Sequence, residues 1–317
     1  MMKVLITGIE GFVGPYLADL LLKKGHEVYG SFFTEIRKDN SYPIPTANVK
    51  KIHLDVTDKS ETERVIKEIC PEEIYHLAGF SSVKQSWDNP ELCWKINVEG
   101  TKNLLDAVLA AGISPRILIV SSAEVYGTPR YLPIDEKHPL NPDNPYAKSR
   151  VAQEKLALEY VKKGIDAVIV RSFNHTGPGQ LPVFVCSDFA HQITRIEKGL
   201  QEPVIKVGDL TVKRDFTDVR DIVRAYALAL EKCDSGEIYN VCSETAYSIK
   251  EILDILLLSY KNHDKISIIK DHERIRETEI MILSGSRDKF TQKTDWRPEI
   301  LFKNTLREID GWWKKNP

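Results

Sequence analysis

The chain begins with a short β-branched run, Lys3-Val4-Leu5-Ile6-Thr7, which passes without a linker into Gly8-Ile9-Glu10-Gly11-Phe12-Val13-Gly14 and then into a helical pattern over Tyr16 to Lys24. A strand, three glycines and a helix in direct succession leave few folds open. The glycines have separate tasks: one makes the turn tight, one lets backbone approach a pyrophosphate, and one brings the helix down onto the sheet. The N-terminus of that helix then faces the negative charge. The spacing is G-x-x-G-x-x-G and not G-x-G-x-x-G, and a glycine pattern by itself also fits a tight turn that binds nothing. Its place behind the first strand makes Gly8, Gly11, Phe12, Val13 and Gly14 candidate contacts to a dinucleotide.

The alternation continues. Strand patterns cover 27–32, 51–54, 73–77, 116–120 and 167–171, separated by helical patterns over 61–69, 91–111 and 146–163. Such an order predicts an α/β, Rossmann-type doubly wound parallel sheet covered on both faces. After Arg171 the rhythm breaks into Gly- and Pro-rich loops with isolated helices over 188–198 and 249–260, which predicts a smaller C-terminal α/β substrate lobe. The expected division is a dinucleotide-binding domain of residues 1–173, with about 215–243 returning to the main sheet, and a substrate lobe of 174–214 and 244–317.

Composition narrows the partners. Basic and acidic residues number 44 and 46, are intermixed and leave a formal charge of −2, which argues against nucleic acid or an anionic membrane and for small molecules. No apolar stretch approaches the ~20 residues of a membrane span. The run Val4-Leu5-Ile6 is too short for a secretion signal. The five cysteines (Cys70, Cys93, Cys186, Cys233, Cys242) are far apart without metal-ligand spacing, so they read as buried thiols in a reducing cytoplasm, and no metal site is expected.

An acidic side chain at the tip of the second strand accepts from a ribose 2′-OH, whereas an arginine there pairs with a 2′-phosphate. The tip here, Ser31-Phe32-Phe33-Thr34-Glu35-Ile36-Arg37, has neither group clearly in place, and Glu35 and Arg37 also fit solvated loop charges. The cofactor is therefore read as NADP(H) or NAD(H), with NADPH placed first.

The strand at 117–120 ends in Ser121-Ser122-Ala123-Glu124-Val125-Tyr126-Gly127, and the next helix opens with Asn144-Pro145-Tyr146-Ala147-Lys148-Ser149-Arg150. A hydroxyl at a strand's carboxyl end and a tyrosine in the following helix's first turn can both face the switch-point crevice. Singly, Ser122 fits a turn cap and Tyr146 a packed ring. Behind a glycine loop the pair is specific.

At these residues the sequence resembles the extended short-chain dehydrogenase/reductase family, through Gly8-x-x-Gly11-x-x-Gly14, Asp55-Val56, His76-Leu77-Ala78-Gly79, Asn97-Val98-x-Gly100-Thr101, Ser122-Ala123-Glu124-Val125-Tyr126-Gly127 and Tyr146. The resemblance implies that Tyr146 exchanges a proton with a sugar oxygen while hydride moves at the attached carbon, and that Ser122 hydrogen-bonds the same oxygen. It implies adenine contacts from Asp55 and Val56, nicotinamide-side contacts from Leu77, Ala78 and Gly79, and further cofactor contacts from Ser121 and Phe173. Glu124 stands where related dehydratases keep a catalytic carboxylate.

One position departs from the pattern Tyr-x-x-x-Lys, whose lysine shares the tyrosine's helix face, stabilises the phenolate and holds the nicotinamide ribose. Arg150 occupies it. Lys148, two residues from Tyr146, points to nearly the opposite side of the helix. Arginine stays cationic at any working pH but differs from an ammonium in reach and shape. The expectation is that Arg150 takes the lysine's role; the alternative is a weakened site.

The loop Arg171-Ser172-Phe173-Asn174-His175-Thr176-Gly177-Pro178-Gly179-Gln180 is similar to that of reductases of GDP-4-keto-6-deoxy-D-mannose, which form GDP-D-rhamnose. The likeness implies Asn174 near the diphosphate or sugar, Arg214 and Arg276 on the diphosphate, Glu279 on the nucleotide ribose, and Ser81, Val83 and Ser86 lining the sugar pocket. Guanidinium forks suit a diphosphate. His175 reads as a loop histidine bonded to backbone. The nearest rival is a GDP-mannose 4,6-dehydratase, which Ala123 weakens because a methyl group moves no proton. An epimerase and a non-catalytic dinucleotide sensor are more distant. Apolar residues on more than one face of the helices at 91–111 and 146–163 (Leu104, Leu105, Val108; Val151, Leu156, Leu158) and the resemblance point to a homodimer through a four-helix contact.

Overall fold

A computed structural model describes residues 1–33, 44, 46–271, 274 and 280–317. The first strands are β1 (Lys3–Thr7), β2 (Glu27–Phe32), β3 (Lys50–His53), β4 (Glu73–His76), β5 (Arg116–Ser122) and β6 (Asp166–Ser172). Then come β7 (Asn174–Thr176), β8 (Val204–Val207), β9 (Lys213–Asp218), β10 (Ile238–Val241), β11 (Ala246–Ser248), β12 (Ser267–Lys270) and β13 (Ile282–Leu283). Among the described residues a seven-stranded sheet runs β10-β6-β5-β4-β1-β2-β3, and every pairing in it is parallel. This is the doubly wound α/β sheet expected. Its order reverses between β1 and β4, so the crevice at their carboxyl ends is the switch point where such sheets bind ligands.

The first helices are α1 (Gly14–Lys23), α2 (Lys59–Ile69), α3 (Val83–Asp88), α4 (Pro90–Trp94), α5 (Gly100–Ala111), α6 (Pro145–Val161), α7 (Val185–Glu197) and α8 (Val219–Lys232), of which α1, α2, α5, α6 and α8 cover the two faces of this sheet. Local chemistry sets their starts. Asp58 caps α2 by accepting from the Glu61 N–H, and Asn144 caps α6 by accepting from the Ala147 N–H, with Pro145 preset for the first turn. Apolar residues alternate along the strands: Ile117 and Ile119 of β5 face one core with α2, α5 and α6, while Leu118 faces the other with α1 and α8.

The remaining elements are α9 (Ile249–Leu257), α10 (Asp288–Thr294) and α11 (Phe302–Lys315). Helices α7, α9 and α11 enclose a separate core with β8, including Phe189, Ile193, Leu253, Leu306 and Trp313. Strands β7, β11 and β13 each pair with β9 in a small mixed sheet, which the helix-and-loop reading of that region missed because its strands span two to six residues.

Three expectations are corrected. The helix read over 91–111 is interrupted by a π turn at Lys95–Glu99, closed by the Gly100 N–H on the Lys95 carbonyl. Leu104, Leu105 and Val108 are fully buried against the sheet and cannot meet a second subunit. Cys70 is exposed, because it sits in the left-handed position that ends α2; the other four cysteines are buried.

Candidate active site

Gly8 begins the phosphate loop at φ +72, and a side chain there would press on the Ala78 backbone at 2.8 Å. A Cβ on Gly14 would collide with the Ile9 carbonyl, so glycine lets the turn fold under α1. Gly11 is exposed above them. Val13 gives α1 no side-chain cap, which leaves the first N–H groups of that helix for another acceptor. The cradle thus fits a pyrophosphate on geometry as well as on pattern. Phe12 reaches from the loop to lie parallel with His175, ring centroids 6.3 Å apart. His175 turns Nδ1 to the Phe173 carbonyl at 3.1 Å, as read, and burial lowers its pKa.

Tyr146 is held at the crevice by α6. Its N–H donates to Ser86 Oγ at 3.2 Å, and Ser86 in turn donates to the Val83 carbonyl. Ser86 is fully buried, so its hydroxyl anchors Tyr146 and does not line open space; Val83 is half-buried and Ser81 exposed. Ser122 ends β5 and accepts from the Glu124 N–H, which leaves its own proton free to donate. Ser121 points to the opposite face and donates to Glu154 at 2.5 Å, away from the Ser122 side of the sheet. Glu154 is bound bidentately by Arg171, whose third nitrogen donates to Tyr126, and Tyr126 donates to Asn240. This buried pair braces the turn that carries Ala123 and Glu124. Asn144, which caps α6, reaches Glu124 at 3.5 Å.

Arg150 is 6% exposed and lies over the Tyr146 ring, Cζ to centroid 5.2 Å. Nη1 donates to the Val120 carbonyl at 3.0 Å and to Gln153 Oε1 at 2.9 Å, and Nη2 to the Phe80 carbonyl at 3.3 Å. Nε has no partner, and among the described residues no carboxylate pairs with this cation. Lys148 is exposed on the far side of α6, so the arginine alone stands beside the tyrosine. Gly79 makes the room: a Cβ there would lie 2.8 Å from Arg150 Nη2.

Other expected residues are distributed as follows. Val56 is buried against Gly100, and Asp55 is half-buried with its carboxylate accepting from the Thr57 N–H. Leu77, Ala78 and Gly79 are half-buried after β4, the Ala78 N–H donating to Thr7 Oγ1. The Phe173 side chain is turned into packed interior against Gly285, which leaves at most its backbone near the crevice. Asn174 is half-buried on β7. Arg214 is buried, with Nη1 on the carbonyls of Lys213 and Ile280. Glu35, Arg37, Arg276 and Glu279 lie outside the described residues.

Sequence reasoning missed a buried polar chain beneath the site. Thr7 Oγ1 lies 2.8 Å from His76 Nδ1, His76 Nε2 lies 3.0 Å from Thr101 Oγ1, and Gln153 Nε2 donates to that same oxygen at 2.8 Å. Asn97, turned inward by the π turn, binds Phe80 and Ser149. The motif residues His76, Asn97 and Thr101 were visible; Gln153 carried no signal, because α6 buries Gln153 and Glu154 as deeply as Ala157. Among the described residues no group of three potential ligands could hold a metal, and no helix is long and apolar enough to cross a membrane.

A parallel sheet with its glycine cradle at the switch point, and a tyrosine, serine and cation grouped at the same edge, define an NAD(P)-dependent oxidoreductase of the extended short-chain dehydrogenase/reductase type. Comparison with known proteins agrees. The chain belongs to the GDP-mannose 4,6 dehydratase family, whose model matches residues 5–309. It is 35% identical to the GDP-6-deoxy-D-mannose reductase of Pseudomonas aeruginosa over 98% of this chain and 97% of that protein. It is 30% identical to the GDP-mannose 4,6 dehydratase of Homo sapiens, over 96% and 89%. Among solved structures it superimposes on RMD from Pseudomonas aeruginosa complexed with NADPH, with TM-score 0.83, 32% identity and full coverage of both chains. The UDP-glucose 4-epimerase of Thermus thermophilus in complex with NAD gives TM-score 0.85 at 28% identity over 99% of each chain.

Proposed function

We propose that this enzyme reduces the C4 keto group of GDP-4-keto-6-deoxy-D-mannose to give GDP-D-rhamnose, with NADPH ahead of NADH as the reductant. The observation that carries the reading is the Arg150 guanidinium, unpaired with any described carboxylate, over the ring of Tyr146. Gly8, Gly11, Gly14 and the first turn of α1 would hold the pyrophosphate; Asp55 and Val56 the adenine side; Leu77, Ala78, Gly79 and Arg150 the nicotinamide side. Bound in its reduced form, the dinucleotide supplies a hydride to C4.

The chain handles the proton. Tyr146 gives its phenolic proton to O4 as the ketone becomes an alcohol, while Ser122 donates a hydrogen bond to the same oxygen. The phenolate left behind stands next to Arg150 and recovers a proton from solvent. Asn174, Arg214, Arg276 and Glu279 are assigned to the sugar nucleotide, with Ser81 and Val83 at the sugar. The dinucleotide is assigned to residues 1–173 with about 215–243, and the nucleotide part of the substrate to the lobe of 174–214 and 244–317.

The 35% likeness to a GDP-6-deoxy-D-mannose reductase supports this choice, as does the buried methyl of Ala123 beside Ser122. A second reading, GDP-mannose 4,6-dehydratase, draws on Glu124, a carboxylate 9% exposed next to Ser122, and on the family's name. The purified protein should oxidise NADPH when offered GDP-4-keto-6-deoxy-D-mannose. Ketone formation from GDP-mannose without added cofactor, and no oxidation of NADPH or NADH, would select the dehydratase. A homodimer is part of the proposal: Leu92, Trp94 and Leu109 are each more than two-fifths exposed along α4 and α5, and Trp87 of α3 is likewise exposed, which leaves apolar side chains on these helices for a second subunit to cover.

A further inference from the structure

We propose that Gln153 is a positioning residue for Arg150: it fixes the guanidinium over Tyr146 through a neutral hydrogen-bonded chain that begins at the phosphate loop. The inference rests on the functional reading above and adds to it the group that makes an arginine workable where the family pattern has lysine.

Gln153 and Arg150 are three residues apart on α6, and Gln153 is fully buried. Its Oε1 accepts from Arg150 Nη1 and its Nε2 donates to Thr101 Oγ1. The direction of every proton in the chain then follows. The Thr101 hydroxyl donates to the Asn97 carbonyl at 2.7 Å, so its oxygen is left to accept, and His76 must present Nε2–H to it. His76 Nδ1 is then an acceptor and takes the Thr7 hydroxyl proton. Thr7 Oγ1 still accepts from the Ala78 N–H, one residue from Gly79. The tautomer requires a neutral imidazole. Burial and the nearby Arg150 charge supply it, pushing the His76 pKa down to about 3.

This arrangement does two things that a carboxylate at position 153 could not. It orients Nη1 without cancelling the charge, and it ties that orientation to Thr7 at the entrance of the glycine turn. A rotated amide at 153 would set two N–H groups against each other, so the amide has one orientation only.

Dinucleotide affinity tests the idea without any sugar substrate. Gln153→Met keeps the volume and removes the acceptor; Gln153→Glu keeps the acceptor and neutralises the cation. NADPH titrated into each purified variant, followed by nicotinamide fluorescence, should show Kd raised about tenfold for Gln153→Glu and several-fold for Gln153→Met; in a separate turnover assay kcat/KM for NADPH should fall further than kcat. The decisive step is a double-mutant cycle. In an Arg150→Met background Gln153→Met should have no further effect on Kd. Equal losses in both backgrounds would show that Gln153 only fills space, and would overturn the proposal. If the variants behave as expected yet no ketosugar is reduced, the substrate assignment fails and the positioning role stands.

Discussion

Removing the charge at position 150 is the sharpest perturbation available. The Arg150 Cζ lies 5.2 Å from the centre of the Tyr146 ring. With an effective dielectric of ~20 for a buried site, a unit positive charge at that distance stabilises a negative charge on the phenol by ~3 kcal/mol. If that attraction acts fully when the phenol has lost its proton, Arg150→Met slows reduction by about a hundredfold. The fold should hardly notice. Three hydrogen bonds from the guanidinium disappear, each worth ~1.5–3 kcal/mol. The cost of keeping a lone cation dry, several kcal/mol, disappears with them. Turnover by stopped-flow oxidation of NADPH, beside a urea melt of each variant, separates the two effects. Arg150→Lys keeps the charge and should retain turnover to within about tenfold. Arg150→Met turning over within about threefold of the unmodified chain would refute the electrostatic role, and a dead lysine variant would refute the substitution of one cation for the other.

Other outcomes follow from neighbouring geometry. Gly79→Ala puts a methyl 2.8 Å from Arg150 Nη2 and 3.1 Å from Asn97 Oδ1, so it should weaken NADPH binding by tenfold or more at unchanged secondary structure; an unaltered Kd by fluorescence would contradict it. His76, with its pKa lowered to about 3, resists protonation only while folded, so stability should fall as pH drops below ~6.5, by about 1.4 kcal/mol per unit for this one proton. Urea midpoints from pH 7 to pH 5 should show that slope, and His76→Gln should remove it. Asp215 accepts from the N–H groups of Ser243, Glu244 and Gly285, and burial lifts its pKa to about 6. Asp215→Asn leaves donors facing donors and should cost ~1–3 kcal/mol, with the deficit widening as pH falls from 6 towards 4 because only the carboxylate gains a proton there. Light scattering at micromolar concentration should give twice the chain mass, and Leu109→Glu with Trp94→Glu should halve it; a monomer before mutation would sink the dimer.

The sheet was legible because its information is local. Strands β1 and β5 are apolar, β-branched runs ended by hydroxyl residues, and β1 and β2 fall at the expected bounds. The crevice was legible for the same reason, since Gly8, Gly14 and Tyr146 sit at junctions between elements whose order the pattern already supplies. What stayed hidden depends on tertiary distance. Whether Arg150 would find a carboxylate cannot be read from a helix; it is decided by Val120, Phe80 and Gln153, two of which come from other elements. The π turn was hidden too, because its one extra residue changes where Asn97 points without disturbing the apolar spacing of Leu104, Leu105 and Val108.

Two buried arginines in this molecule are treated in opposite ways. Arg171 is met by Glu154 at 2.7 Å in a two-pronged pair, its remaining nitrogen donates to Tyr126, and Ser121 donates to the Glu154 Oε1 that already accepts from Arg171 Nε. Arg150, four residues before Glu154 on the same helix, receives only neutral oxygens. Stability alone would favour the first solution at both places, because a lone interior charge costs far more than a paired one. The amide of Gln153 therefore marks a site where charge is kept available at the expense of the fold. If so, Gln153→Glu should raise the urea midpoint above that of the unmodified chain while lowering NADPH affinity and turnover. A variant that loses stability and activity together would mean that the amide serves packing, and that the arginine's lack of a partner has no functional cause.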